Sequence, residues 1–77
     1  MEITVLFFGE LAEIAGTSKI TVQHITDTAS LYAYLFEQYP TLKNRTYRLA
    51  VNKNVINEKQ HLKNGDEVAL LPPYAGG

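Results

Sequence analysis

The chain has 77 residues, 45% hydrophobic and 19% charged, with seven basic and eight acidic side chains and a formal net charge of −1. That describes one small globular domain without the concentrated positive field that a nucleic-acid surface needs. There is no cysteine, which removes disulfides, thiolate metal sites and cysteine nucleophiles, and no apolar run approaches the ~18 residues of a membrane span.

The first segment, Glu2 to Phe8, is β-branched and aromatic and stops at Gly9, which predicts a strand. Ile3, Val5 and Phe7 share one face; Thr4, Leu6 and Phe8 share the other. Both faces are largely apolar after Thr4, as expected of a central strand or of one with a covered second face. An acid at position 2 and the shortness of this run argue against a leader peptide, so the expected compartment is the cytoplasm. Between Gly9 and Gly16, Leu11, Ile14 and Ala15 have helical spacing, and Gly16 suits a left-handed cap. Ser18 to Ile25 returns to alternation and predicts a second strand, antiparallel to the first.

Thr26 to Pro40 predicts the main helix, capped by Asp27 or Thr28 and stopped by Pro40. Tyr32, Leu35, Phe36 and Tyr39 form its apolar stripe, with Leu31 alongside, and this stripe is expected to be core. The following TLKNRTY segment reads as a polar connector. Arg48 to Ile56 holds a strand, a turn at Asn52-Lys53-Asn54 and a short return strand. Lys63-Asn64-Gly65-Asp66 is a second turn, and Glu67 to Leu71 is the last strand, with Val68 and Leu70 on one face and Ala69 and Leu71 on the other. Pro72 and Pro73 end it and favour an extended chain.

One helix of about three turns must therefore cover a mixed sheet of four or five strands, with a short helix beside it. This predicts a single α+β domain over residues 1–77, with 72–77 as a flexible C-terminal tail. The fold is a ubiquitin-like β-grasp if the first and last strands are central parallel neighbours, an order that periodicity does not fix. A core of this size is only marginally sufficient, so stability should be modest or supplemented by a partner.

Little ordinary catalytic chemistry is visible. His24 and His61 lack a spacing that joins them, and both read as surface residues. Asp66 and Glu67 are adjacent, so on a strand they diverge and serve the turn. No metal-ligand constellation stands out, and Gly9 and Gly16 are too far apart for a phosphate loop. What remains is the Gly76-Gly77 terminus. A free carboxylate is a poor electrophile, but joined to AMP it carries a good leaving group that sulfide or an amine can displace. Glycine has no Cβ to block a narrow channel. The six residues from Pro72 reach roughly 20 Å when extended. A chance Gly-Gly end is the competing reading.

The segments VLFFGELAEIAGT, AVNKNVI and LKNGDEVALLPPYAGG together resemble the small, sulfur-carrying subunit of molybdopterin synthase, over nearly the whole chain. The likeness is weakest between Ser18 and Arg48. It implies the β-grasp fold. It further implies that an ATP-dependent activating enzyme adenylates Gly77 and that a sulfur donor, through a sulfurtransferase, converts it to a thiocarboxylate. The tail of Pro72, Pro73, Tyr74, Ala75, Gly76 and Gly77 would then enter the large subunit of a heterotetramer. There sulfur would pass to cyclic pyranopterin monophosphate; the carrier binds no cofactor or metal itself, and the catalytic side chains belong to the partner. Tyr74 and Ala75 stand where relatives often carry a smaller aliphatic and a Thr or Ser.

Leu6, Phe8, Ala50, Ala69 and Leu71 are expected on the sheet face away from the main helix, provided the registers hold. That face is either covered by the short helix or docks the large subunit, with Leu6, Phe8, Ala69 and Leu71 as the interface. Three other readings stay open: a sulfur carrier of thiamine biosynthesis, a ubiquitin-like modifier conjugated through Gly77, and a binding module with an inert tail.

Overall fold

A computed structural model describes residues 2–73. The elements are β1 (Glu2–Phe7), α1 (Glu10–Ala15), β2 (Lys19–Gln23), α2 (Thr28–Gln38), a 3-10 turn (Pro40–Asn44), β3 (Arg48–Val51), β4 (Asn54–Ile56) and β5 (Glu67–Leu71). The strands form one sheet in the order β2-β1-β5-β3-β4. The central pair, β1 and β5, is parallel, with Val5 opposite Val68 and Phe7 opposite Leu70. The other three pairings are antiparallel.

Two turns set this register. Asp66 donates its amide to the Lys63 carbonyl at 3.0 Å, and Gly65 sits at φ +87° between them. The same turn grips the start of β1: Gly65 N–H donates to the Glu2 carbonyl, and Glu2 N–H to Asn64 Oδ1, both at 2.7 Å. The Asp66 carboxylate accepts from Lys63 N–H at 2.7 Å and from Asn52 Nδ2 at 2.9 Å. Those hydrogen bonds hold its carboxyl below the usual range. The second turn, Asn52-Lys53, is a two-residue hairpin loop with φ of 49° and 74°.

The core lies between the sheet and α2. Ile3, Val5, Val68 and Leu70 are fully buried on the sheet side, and Leu31 and Leu35 on the helix side. Asp27 caps α2: Ser30 N–H donates to Asp27 Oδ1 at 2.8 Å, and Asp27 N–H donates to Ser30 Oγ at 3.3 Å. The buried line of α2 runs through Thr28, Leu31 and Leu35, so the stripe is rotated from the one read in sequence. Tyr32, Phe36 and Tyr39 flank it, half-buried. Aliphatic side chains take the centre because tyrosine keeps a hydroxyl that needs water or a partner. Thr28 can be buried because its Oγ1 accepts from Gln60 N–H at 3.1 Å.

The connector after α2 also differs from its sequence reading. Pro40 ends α2 but opens the 3-10 turn, and Leu42 within it is 1% exposed. One buried leucine in a polar segment gives no periodicity to detect. α1 packs on this same side of the sheet: Leu11 is fully buried in the cluster that holds Leu31, Leu35 and Leu42. The short helix therefore closes one end of the core and leaves the opposite sheet face uncovered by α1. Among the described residues, no helix is long and apolar enough to cross a membrane.

Candidate functional site: the tail root and the outer sheet face

Because β1 and β5 are parallel, both end at the same edge of the sheet, and the chain leaves β5 beside the end of β1. The ladder there follows a fixed beat. Thr4 N–H donates to the Asp66 carbonyl at 3.0 Å, and Phe8 N–H donates to the Leu70 carbonyl at 3.3 Å. In a parallel ladder the next donor would be the amide of residue 72. That residue is Pro72, which has no N–H. The Phe8 carbonyl instead accepts from Leu11 N–H at 3.1 Å, opening α1. One proline thus ends the strand pairing.

Gly9 lies against that proline. Its backbone stands at φ 57° and ψ −135°, and a Cβ placed there would come within 3.0 Å of Pro72 Cγ. The dihedral region is one that side chains rarely adopt, and a Cβ would also press on the ring, which would have to give by a few tenths of an ångström. Pro72 is half-buried and Pro73 is exposed. Tyr74, Ala75, Gly76 and Gly77, the rest of the expected tail, lie outside the described residues.

The sheet face turned away from α2, the outer face, carries the expected side chains. Across the strands Lys19, Leu6, Ala69, Ala50 and Val55 stand in one row. The row nearer the tail pairs Leu71 with Arg48, and Phe8 continues β1 alongside. Leu6, Ala69 and Leu71 are half-buried and Ala50 is buried. Phe8 is 46% exposed and Val55 47%, the two large apolar side chains most open to solvent among the described residues. The face is thus a low apolar floor between two raised side chains, with Lys19 as an exposed cation at the β2 end of its middle row and Arg48 as one in the row nearer the tail. Glu67 lies opposite Thr4 on the same face, one row beyond Leu6 and Ala69.

Sequence reasoning did not assign Val55, Lys19 and Arg48 to this face. The signal for Val55 was present. A two-residue Asn52-Lys53 loop pairs Val51 with Asn54, and therefore Ala50 with Val55. Lys19 and Arg48 needed the cross-strand register.

The remaining candidates stay apart from the tail. His24 follows β2 at φ 64°, at the end of the sheet opposite the tail, and His61 bridges Asp27 at the start of α2. Asp66 and Glu67 serve the turn, as read: Glu67 N–H donates to Asn52 Oδ1 at 3.0 Å. Among the described residues, no group of three or more histidines, aspartates and glutamates could hold a metal ion. A groove of about 310 Å³ lies between α2 and the β3–β4 edge, lined by Tyr32, Tyr47, Leu49, Ile56 and Lys59 among others. The Tyr47 hydroxyl is buried without a hydrogen-bond partner, and burial pushes its pKa up to about 12. The described residues offer an apolar outer face and the root of the C-terminal tail and assemble no nucleophile–base pair.

A mixed sheet in this order, with parallel central strands and a helix across one face, defines a ubiquitin-like β-grasp protein. Residues 5–77 match the sequence profile of the ThiS family. The molybdopterin synthase sulfur carrier subunit of Chlamydomonas reinhardtii is 35% identical over 83 residues, covering all of both chains. Among solved structures, the complex of subunits 1 and 2 of molybdopterin-converting factor from Helicobacter pylori matches with a TM-score of 0.78 and 29% identity, again over the whole of both chains. Small archaeal modifier protein 1 from Methanosarcina acetivorans matches with a TM-score of 0.83 and 26% identity, over 99% of this chain and 96% of that one. The chain belongs to the ThiS family and, within it, to the sulfur carrier subunits of molybdopterin synthase.

Proposed function

We propose that Gly77 is the working residue of this carrier, cycling between carboxylate, acyl-adenylate and thiocarboxylate. The observation that carries the reading is the full-length match to sulfur carrier subunits, with the family profile running through residue 77. In the first step the Gly77 carboxylate attacks the α-phosphate of ATP on an activating enzyme, forming the acyl-adenylate and releasing pyrophosphate. Sulfur from the donor then bonds to the acyl carbon, the bond to AMP breaks, and AMP leaves. ATP is the activating enzyme's substrate, and the carrier needs no cofactor of its own.

The charged carrier then docks on the large subunit through Leu6, Phe8, Ala69 and Leu71, and the tail enters the partner's site. There the thiocarboxylate sulfur bonds to a carbon of cyclic pyranopterin monophosphate as a carbon–oxygen bond at that carbon breaks, and hydrolysis of the resulting thioester leaves the sulfur on the pterin and returns the Gly77 carboxylate. Two such transfers complete the dithiolene of molybdopterin. A dimer of carrier–large subunit pairs, a heterotetramer, would deliver both. The reaction belongs in the cytoplasm, where ATP and the activating enzyme are at hand. The geometry supports this reading because the tail leaves the sheet beside Phe8 and Leu71. Docking on the outer face therefore aims the tail into the same partner.

The likeness to an archaeal modifier protein supports a second reading, in which an amine of a target protein attacks the same acyl-adenylate. A sulfur carrier of thiamine biosynthesis would share the activation and differ only in the acceptor. Incubation with activating enzyme, ATP and a sulfur donor, followed by intact mass measurement, separates these readings. Replacement of one oxygen by sulfur at Gly77 supports a carrier, and isopeptide adducts support the modifier. No reaction with an authentic activating enzyme would overturn both. Addition of the large subunit and the pyranopterin precursor then distinguishes the molybdopterin carrier from the thiamine carrier.

A further inference from the structure

We infer that Gly9 and Pro72 form a positioning joint that fixes the direction in which the tail leaves the domain. The inference rests on the carrier reading for its functional consequence, but the joint itself is a property of the fold.

Gly9 is held from both sides. Phe7, two residues before it, is 2% exposed and meets the Tyr39 ring edge-on at a centroid distance of 5.7 Å. Leu11, two residues after it, is fully buried. The Gly9 carbonyl accepts from Ala12 N–H at 3.1 Å, and the Phe8 carbonyl from Leu11 N–H at 3.1 Å. A turn pinned by two core side chains and two hydrogen bonds cannot drift relative to the sheet. Pro72 is held as closely, two residues beyond the fully buried Leu70, whose carbonyl accepts from Phe8 N–H. With φ fixed by its ring and its Cγ 3.0 Å from where a Gly9 Cβ would stand, Pro72 has little room to turn toward α1.

The consequence is positional. A reactive carboxylate at the end of a six-residue arm is aimed by the angle at the root of that arm. An error there moves the point and direction from which the tail starts toward the partner's site, and a misplacement near 1 Å at a reacting centre can cost about a hundredfold in rate. A side chain at position 9 would push the proline ring aside and re-aim the tail. The outer face, which docks the partner, would be left as it is. Gly9 and Pro72 are positioning residues and touch no reacting atom.

Gly16 supplies a partial control. It also has a positive φ, +76°, at the other end of α1, but it stands in the left-handed helical region with ψ 11°, and a Cβ there meets nothing within 4 Å. Alanine at Gly9, with ψ −135°, carries the larger backbone penalty and also strikes Pro72, so Pro72→Ala, which leaves Gly9 in place, separates the contact from the strain. The experiment loads each full-length chain as its Gly77 thiocarboxylate and follows single-turnover sulfur transfer in complex with the large subunit. Binding of the two subunits is measured in parallel.

The joint predicts that Gly9→Ala slows transfer by between about tenfold and a hundredfold with unchanged subunit affinity, while Gly16→Ala transfers at the wild-type rate. Pro72→Ala lacks Cγ, cannot seat on Gly9, and is expected to be slowed as well; it carries the test if Gly9→Ala does not fold. Equal slowing in Gly9→Ala and Gly16→Ala, or wild-type transfer by Pro72→Ala, would overturn the joint. A separate readout keeps the two readings distinguishable. A nuclear Overhauser contact between Pro72 Hγ and Gly9 Hα is expected in the wild type and in Gly16→Ala. Its absence from the wild type ends the joint whatever the activity. A wild-type chain that shows the contact but transfers no sulfur ends the carrier reading instead.

Discussion

Phe8 donates its amide to the Leu70 carbonyl at 3.3 Å, the last hydrogen bond between the two parallel central strands. Its ring is 46% exposed on the outer face, beside Leu71 and the root of the tail. A backbone held by the core thus presents a large apolar side chain to solvent, which is how an interface anchor is built.

Phe8→Ala should therefore separate binding from stability. Truncating a central aromatic anchor costs about 2 kcal/mol of association, or about a 30-fold weaker dissociation constant. The thermal midpoint should barely move, because the exposed ring contributes little to the core. Titration calorimetry against the large subunit and a melting curve measure the two effects. Unchanged affinity would remove Phe8 from the interface.

Deleting Gly77, or adding one residue after it, should abolish sulfur loading and transfer while leaving the melting curve unchanged. Among the described residues the core ends at Leu70 and the sheet at Leu71, and glycine has no side chain to bury, so the fold is expected to tolerate the change. Mass measurement after the loading reaction gives the result. A loaded deletion variant would place the reactive group elsewhere.

Leu42→Ala tests the buried residue of the 3-10 turn. At 1% exposure it leaves a cavity between α2, α1 and the turn, and should cost about 2 to 5 kcal/mol. For a domain this small that is a large share of the total stability. Urea unfolding measures it. A loss under about 0.5 kcal/mol, as for a surface site, would mean that the turn does not belong to the core.

Tyr47 predicts an alkaline transition. Burial raises its pKa from 10.0 to about 12, with the neighbouring Tyr32 adding to the shift. A raised pKa favours the protonated folded state. The contribution is thus complete below pH 10, falls as pH rises, and is gone above about 12. Tyr47→Phe should flatten the decline in urea midpoint across that window. At neutral pH the substitution should cost less than about 1 kcal/mol, because the hydroxyl it removes has no partner. An unchanged slope in the variant would assign the alkaline loss to other groups.

Local chemistry made much of this molecule legible in its sequence. The alternation of Ile3, Val5 and Phe7, and of Val68 and Leu70, named the inward faces of both central strands, and all five side chains are buried. Gly16 closes α1 and Asp27 caps α2, as their positions required. The outward set of Leu6, Phe8, Ala50, Ala69 and Leu71 followed from the same alternation. It stands on one face because a period of two leaves no other choice once the register is fixed. Leu42 and the rotation of α2 toward Thr28 and Leu31 were not legible. Both depend on what the α2 and turn residues meet across the core.

What the sequence determined by itself was the strands and the two α-helices, the faces of the central strands, and a Gly-Gly pair beyond two prolines. These follow from dihedral preference, periodicity and the chemistry of an unhindered glycine. The tertiary structure decided which strands are neighbours. Parallel pairing of β1 with β5 joins residues more than sixty positions apart, and no local preference encodes it. From that pairing come the uncovered outer face, the tail leaving beside Phe8, and the close approach of Pro72 to Gly9.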